Sequence, residues 1–388
     1  MCIITLEERV KINMIFFNKP SITKKELENI KECLKGDKIC GDGKYTKLVN
    51  EWFKDKIHSD FLLTHSGTAS LEMASLLCDL KPGDEVITPS YTFVSTVNAF
   101  ALRGAIPVFV DIDPRTMNID ANRIEEKITN KTRAIFCVHY AGVVCDMDKI
   151  NELAKKHNLL VVEDAAQAVG STYKEIPAGT LGDYGCYSFH ETKNYVMGEG
   201  GGFVVKNHDD FLKAEIIREK GTNRSQFMRG FVDKYTWHDI GSSYLPSDIL
   251  AALLYGQLER FDEIMQKRMN IWNSYHQFLE NFEKEGKIIR PFIPKQCEHN
   301  AHMYYMILPT SRHRDEMIQY LKENEILAPF HYIPLHLSPM GEKFGYKSGD
   351  LPLTEEFSAR LIRLPLYADM SKEEVEEVCK VLKKKLGD

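Results

Sequence analysis

An α/β fold built on a mostly parallel sheet, followed by a smaller α+β domain, is what this 388-residue sequence predicts. Two observations carry that expectation. First, from about Phe61 to Asp164 short apolar runs alternate with helical patterns, and Glu85–Thr88, Ile106–Asp111, Arg133–Val138 and Leu159–Asp164 read as strands. These runs are continuously apolar and rich in β-branched and aromatic residues, as in parallel strands covered by helices on both faces. Second, the texture changes after Tyr244, where one long helical pattern, a single strand candidate and three further helices follow.

In chain order, residues 1–13 read as an N-terminal extension, with Met14 a candidate start of the folded chain. Ser21–Leu34 reads as a helix with Ser21 or Thr23 as its cap and Glu26 in its first turn. Ser66-Gly-Thr-Ala-Ser70 opens an apolar helix through Leu77, and Phe93–Leu102, Asp120–Ile128 and Asp148–His157 supply helices between the strands. Cys186–Phe189 reads as a short strand, followed by a turn that carries Lys193. The run Gly198-Glu-Gly-Gly-Gly202 then lets backbone pass close to something bulky. Pro246–Phe282 reads as largely one long helix, Met303–Leu308 as a strand, and Asp315–Asn324, Thr354–Leu361 and Lys372–Leu386 as helices, with a loop over Phe330–His336. The expected domains are 14–255 and 256–388, with no internal repeat and no low-complexity linker.

Composition narrows the function classes. The chain is 43% hydrophobic and 27% charged, ordinary for a globular protein. A net charge of −6 argues against a nucleic-acid-binding face. No apolar run is long enough to span a bilayer, and no signal-peptide pattern is read at the first residues. The nine cysteines show neither CxxC pairs nor Cys/His ligand spacing, so neither a metal site nor a disulfide framework is expected. Reduced thiols in a cytoplasm are the expectation. Cys40 and Cys145, in loop-like segments, are the candidates for a reactive thiol, and buried inert thiols are the commoner state for the nine.

The candidate chemistry centres on Lys193, in Gly185-Cys-Tyr-Ser-Phe-His-Glu-Thr-Lys-Asn194. A lysine whose amine is buried or set near another cation loses its proton readily enough to hold an aldehyde cofactor as a Schiff base. Such a cofactor needs a carboxylate for its ring nitrogen and a cradle for its phosphate. Asp164 ends a strand at the edge where ligands of parallel sheets bind, and it reads either as that carboxylate or as a cap for a helix from Ala165. Gln167, one turn on, can hydrogen-bond a phenolate oxygen. Gly67, Thr68 and Ala69 open a helix, which makes either an anion site or a simple N-terminus, and Ser188 can add a hydroxyl. Phe93 can stack on a pyridine ring or pack in the core. Arg218, Lys220, Asn223, Arg224 and Arg229 form a basic segment suited either to a substrate diphosphate or to solvent. His331, Tyr332 and His336 serve a substrate or simply pack. No P-loop, no nucleophile triad order and no dinucleotide-binding glycine fingerprint is present.

Four segments together carry a specific resemblance: Val-Glu-Asp-Ala-Ala-Gln (162–167), Ser-Phe-His-Glu-Thr-Lys-Asn (188–194), Pro-Ser-Tyr-Thr-Phe-Val-Ser-Thr (89–96) and Arg-Glu-Lys-Gly-Thr-Asn-Arg-Ser-Gln-Phe (218–227). From Met14 onward the chain resembles the DegT/DnrJ/StrS family of sugar-nucleotide aminotransferases, within the aspartate-aminotransferase fold (fold type I). The resemblance implies pyridoxal 5′-phosphate as cofactor, cycling through pyridoxamine 5′-phosphate, and a homodimer or higher homo-oligomer with shared active sites. It implies L-glutamate as donor and dTDP-4-keto-6-deoxy-D-glucose as acceptor, giving dTDP-4-amino-4,6-dideoxy-D-galactose for a cell-surface polysaccharide. Equatorial C4 amination, C3 amination and a non-catalytic cofactor-binding protein are the alternatives. In this scheme Lys193 holds the cofactor and shuttles the proton, Asp164 pairs with the ring nitrogen, Gln167 with the phenolic oxygen, and Phe93 stacks. Gly67, Thr68, Ala69 and Ser188 would bind the phosphate, and Lys220, Asn223, Arg224, His331 and Tyr332 the substrate. Many relatives carry an asparagine in a Gly-x-Asn-Tyr-Arg segment that reaches the neighbour's phosphate; here the segment is Gly241-Ser-Ser-Tyr-Leu245, and Ser243 stands in that place. A lysine at 193, where the dehydratase branch has histidine, favours amination.

Overall fold

The computed structural model describes residues 14–387, so the expected extension over 1–13 lies outside the described residues. In chain order the strands are β1 (Asp60–Thr64), β2 (Glu85–Pro89), β3 (Ile106–Val110), β4 (Thr132–Val138), β5 (Leu160–Asp164), the short β6 (Thr172–Tyr173) and β7 (Ile176–Pro177), β8 (Tyr184–Ser188), β9 (Gly201–Val205), the short β10 (Cys297–Glu298), β11 (Tyr304–Ile307) and β12 (Leu361–Leu364). Seven of them form one sheet in the order β1-β9-β8-β5-β4-β2-β3. β9 alone runs against its neighbours; β5 is parallel to both β4 and β8. The carboxyl ends of β2, β4, β5 and β8 therefore share one edge, and Val138, Asp164 and Cys186 stand side by side there.

The pleat explains the continuous apolar runs. Ile87, Ile135 and Val161 point into a core with Val49, Phe53, Ile150 and Leu254, on one face of the sheet. Their chain neighbours Val86, Phe136 and Val162 point into a second core with Leu71, Met73 and Phe100 on the other. With both faces buried, neither residue parity can be polar.

Two segments not read as elements in the sequence are elements here. Gly201 and Gly202 are the first residues of β9: a Cβ at Gly201 would lie 2.2 Å from the Ser66 carbonyl, and one at Gly202 would lie 2.4 Å from the Phe61 ring. A helix over Lys44–Ile57 is capped from a distance, because Asp248 accepts the Thr46 amide at 2.7 Å and the Tyr45 amide at 3.1 Å.

Other expectations need correction. The helix expected over 120–128 is two short 3₁₀ turns, Ala121–Arg123 and Glu125–Lys127. The single long helix expected from Pro246 is three, Asp248–Leu258, Phe261–Phe278 and Glu280–Lys284. The first break falls at Arg260, which leaves helical geometry and pairs with buried Glu26 at 3.0 Å and the Ser21 hydroxyl at 3.1 Å. The helix expected over 354–361 runs Pro352–Arg360, and its last expected residue begins β12. In the first helix Thr23 is the cap, with Glu26 closing a capping box.

β11 and β12 pair antiparallel, and Trp272, Tyr275, Met306, Leu321, Ile362 and Leu382 pack around them with Ile15 from the other end of the chain. Leu254, Leu258 and Ile264 pack instead with the large sheet, while Ile271 begins the small core. We propose that the domain division lies between Ile264 and Ile271, within one helix, rather than at 255/256.

Candidate active site

Lys193 sits in a turn after β8, and its backbone amide donates to the His190 carbonyl at 2.9 Å. Burial lowers its pKa to about 8; the Asp164 carboxylate opposes the shift and the Arg363 guanidinium adds to it. Roughly a tenth of such an amine is neutral at pH 7, far more than of an ordinary lysine, and an attacking amine must be neutral. Asp164 is buried at the end of β5 and is held from two sides: the Thr96 hydroxyl donates to it at 2.6 Å and the Ala166 amide at 3.2 Å. No helix follows Asp164, so the helix-cap reading falls away.

Gln167 is buried beside it. Its carbonyl accepts the Ala141 amide at 2.7 Å, and its amide donates to the Tyr332 hydroxyl at 3.1 Å. Phe93 is 57% exposed at the start of helix Val94–Ala101, with its ring 6.3 Å from that of Tyr332. A core role for Phe93 is thereby excluded. His331 is held with its Nδ1 2.9 Å from the Tyr140 hydroxyl, and burial, with the charge of Arg363, pushes its pKa well below the usual value, so it is neutral.

Ser66 caps helix Gly67–Leu77 by accepting the Ala69 amide at 3.0 Å. The Gly67 and Thr68 amides, in the first turn, have no acceptor among the described residues. Thr68 shares a 2.7 Å hydroxyl contact with Ser95. Gly67 lies against β8 so closely that a Cβ there would be 3.0 Å from that of Ser188. Free helix amides, a buried carboxylate and a lysine of lowered pKa at one sheet edge fit a pyridine aldehyde bearing a phosphate.

The basic segment fits its expected role less well. Arg218 is buried, donates to the Leu63 carbonyl at 3.1 Å and pairs with Asp42 at 2.9 Å. Arg229 pairs with Glu215 at 2.5 Å and Arg224 with Glu219 at 2.9 Å. Asn223 is buried and accepts the Thr236 amide at 2.9 Å, a loop-building contact. Lys220 is exposed and has a positive φ of 64°. Asp42, Glu215 and Glu219 thus take up much of the positive charge. Ser243 is exposed and forms a backbone bridge with Glu219. His336 is a packing residue, its Nδ1 2.7 Å from the Ser90 hydroxyl and its Nε2 3.0 Å from Glu355. Cys40 is exposed and Cys145 is buried, in a cluster where His139 Nδ1 accepts the Cys145 amide at 3.2 Å and Nε2 lies 2.8 Å from Glu163.

Sequence reasoning missed four groups at this site. Thr96, Tyr140, His302 and Arg363 come from four distant segments, and each reaches the pocket only through the fold. His302 Nδ1 lies 2.9 Å from Asn194, next in the chain to Lys193.

Comparison with known proteins gives the same picture. The model of the DegT/DnrJ/EryC1/StrS aminotransferase family matches residues 20–383. A GDP-perosamine synthase of Escherichia coli O157:H7 is 34% identical over 375 residues, 95% of this chain and 98% of the relative. The spore coat polysaccharide biosynthesis protein SpsC of Bacillus subtilis is 33% identical over 375 residues, 95% of this chain and 96% of the relative. Among solved structures, the PLP form of Spr1654 from Streptococcus pneumoniae superposes with a TM-score of 0.89 at 28% identity, covering 96% of this chain and 99% of that one. The fold is that of the fold type I enzymes, and the cofactor is pyridoxal 5′-phosphate. The chain belongs to the DegT/DnrJ/EryC1/StrS aminotransferase family.

Proposed function

We propose that the protein transfers the amino group of L-glutamate to C4 of a nucleotide-activated 4-keto-6-deoxy sugar, in the first instance dTDP-4-keto-6-deoxy-D-glucose, giving dTDP-4-amino-4,6-dideoxy-D-galactose for a surface polysaccharide. The observation that carries this reading is Lys193, its pKa lowered to about 8, beside the braced carboxylate of Asp164. Pyridoxal phosphate, when bound, supplies the electron sink. Gly67, Thr68, Ala69 and Ser188 would hold its phosphate. Asp164 would pair with the ring nitrogen, Gln167 would meet the phenolic oxygen and Phe93 would cover the ring. Lys193 would hold the cofactor and, as a neutral amine, would take up a proton and return it at sugar C4; the face from which it delivers would set an axial or an equatorial amine. Neutral His331, with Tyr332, offers hydrogen bonds to the sugar, and exposed Lys220 is the residue of the basic segment left for the diphosphate, since Arg224 pairs with Glu219 and Asn223 accepts the Thr236 amide.

The GDP-perosamine synthase relatives support a second reading, a GDP-linked 4-keto-6-deoxy sugar with the same residues in the same roles. We place the reaction in the cytoplasm and in a homodimer in which Ser243 serves the neighbouring site; the exposed Phe231 and Trp237 of the adjoining segment support a partner there. The experiment that decides is incubation with cofactor, L-glutamate and each keto sugar, with NMR of the product. An axial amine at C4 of the dTDP sugar is expected. An equatorial amine moves the product to the gluco series, amination of the GDP sugar alone selects the second reading, and no amino sugar from either overturns both.

A further inference from the structure

Cys137, His139 and Cys145 form a buried cluster at the carboxyl end of β4, and no step of the proposed reaction uses them. Their spacing, one residue and then five, gives no ligand pattern in the sequence. The chain turns back after β4 through left-handed backbone at Ala141 (φ 57°) and Gly142 (φ 82°), which returns Cys145 Sγ to within 3.1 Å of the Val138 carbonyl. The donor atoms of the three side chains all lie within 4.8 Å of one another. Met147 adds a thioether, its Sδ 3.8 Å from Cys137 Sγ. All four residues are 1% exposed or less.

Glu163 fixes which nitrogen of His139 is free. Its carboxylate accepts the amides of Gly179 at 2.8 Å, Leu181 at 2.7 Å and Gly182 at 2.6 Å. Three N–H donors mark it as ionised and therefore an acceptor only. His139 Nε2, 2.8 Å from it, carries the ring proton. Nδ1 keeps its lone pair on the side of Cys145, whose amide donates to it at 3.2 Å. A carboxylate that holds one ring nitrogen and so aims the other is the partner that metal-bound histidines have.

We propose that Cys137, His139 and Cys145 bind one zinc ion, with Met147 closing the fourth side. Two sulfurs and an imidazole suit zinc and not the oxygen-seeking magnesium or calcium. With zinc–sulfur bonds of about 2.3 Å and a zinc–nitrogen bond of about 2.0 Å, tetrahedral donors stand about 3.5–3.8 Å apart, so side chains already within 4.8 Å close by about 1 Å. Charge selects zinc over monovalent copper. Two thiolates and a neutral imidazole cancel a divalent ion, and a fully buried site holds an uncompensated charge only at high cost. On binding, two zinc–sulfur bonds and one zinc–nitrogen bond form, two protons leave to solvent, and nothing is oxidised. The thiol contacts to the carbonyls of Val138 at 3.1 Å and Val162 at 3.7 Å are given up. Such an ion is structural. It ties both ends of the 139–145 loop to β4, and that loop carries Tyr140 and the Ala141 amide that Gln167 accepts at 2.7 Å. Zinc binding here requires neither cofactor nor substrate, so it stands apart from the transamination reading.

The full-length, cofactor-loaded protein, purified from cells grown with zinc, is tested for metal by elemental mass spectrometry. About one zinc per chain is expected in wild type, and under about a tenth of that in Cys137→Ala and in Cys145→Ala, which remove a ligand without adding bulk. Visible absorbance of the bound cofactor reports that each variant is folded. Wild type made in zinc-depleted, cobalt-supplemented medium is expected to show a thiolate-to-cobalt charge-transfer band, which reads the sulfur ligands without any substitution. Zinc-loaded wild type is expected to melt about 5 °C above the zinc-depleted protein, as for a ligand at about 100 times its Kd, and the difference is expected to vanish in Cys145→Ala. Zinc kept at the wild-type level in both variants places the ion elsewhere and overturns the proposal. A metal-free wild type with no cobalt band, or a wild-type mass lowered by a Cys137–Cys145 disulfide, also overturns it. Copper in place of zinc overturns the zinc assignment and the charge balance behind it.

Discussion

Lys193 and Asp164 are coupled through their charges, and the coupling has a sign that can be measured. Burial disfavours the ammonium, so Lys193 titrates at about 8 instead of its ordinary value of 10.5. Only the neutral amine attacks an aldehyde, so the rate at which apoprotein captures pyridoxal phosphate is expected to rise with pH and level off above about 8. Asp164 favours the charged form, so Asp164→Asn moves that inflection to lower pH; Arg363 disfavours it, so Arg363→Gln moves it to higher pH. Stopped-flow loading across pH checks all three, and an inflection unmoved in both variants would mean that the charges do not share a pocket. Turnover in Asp164→Asn is expected to fall by about 100-fold or more, within the range that misplaced proton control costs. The Thr96 hydroxyl at 2.6 Å is what keeps this carboxylate aimed.

Elements, more than single side chains, build the phosphate end of the site. Helix Gly67–Leu77 presents the free amides of its first turn while β9 passes close beneath them, and β9 can do so only as glycine. A methyl at Gly201 would sit 2.2 Å from the Ser66 carbonyl and 2.5 Å from the Gly67 nitrogen, both backbone atoms that cannot swing aside. Gly201→Ala is therefore expected to cost about 1–3 kcal/mol through backbone displacement. It is also expected to weaken pyridoxal phosphate binding by about tenfold, or 1.4 kcal/mol. Thermal melts with and without cofactor check this: if the Tm falls while cofactor affinity holds, the strand supports the fold and not the cradle.

At the scale of the whole molecule, the surface around residues 227–240 is unfinished. Phe231 is 73% exposed and Trp237 79%, beside exposed Met228, Tyr235 and Ile240, a cluster too apolar for open solvent. In the proposed homodimer this face is covered and Ser243, close in sequence, reaches the neighbour's phosphate. Trp237→Arg is expected to shift the protein toward monomer in sedimentation velocity and to lower cofactor retention with it. A monomer that keeps full activity would remove the shared-site arrangement.

Much of this architecture was legible in the residues. The apolar strands β2 to β5, Lys193 on its turn, Asp164 at a strand end and the small residues opening a helix at Ser66 are local signals, because burial on both faces of a sheet, helix capping and sheet-edge placement each leave a mark on a few neighbouring residues. The misses were non-local. β9 read as a glycine run because its side chains are absent where other backbone approaches. The helix over Lys44–Ile57 takes its cap from Asp248, more than 200 residues on, and the helix after Pro246 breaks where Arg260 turns to Glu26. The sequence by itself determined the fold class and picked out the lysine and aspartate on which the proposed chemistry rests. Only the tertiary structure decided which polar groups surround that pair, because Tyr140, His302 and Arg363 carry no signal until packing brings distant segments together, and the 89–96 motif does not show that the Thr96 hydroxyl braces Asp164.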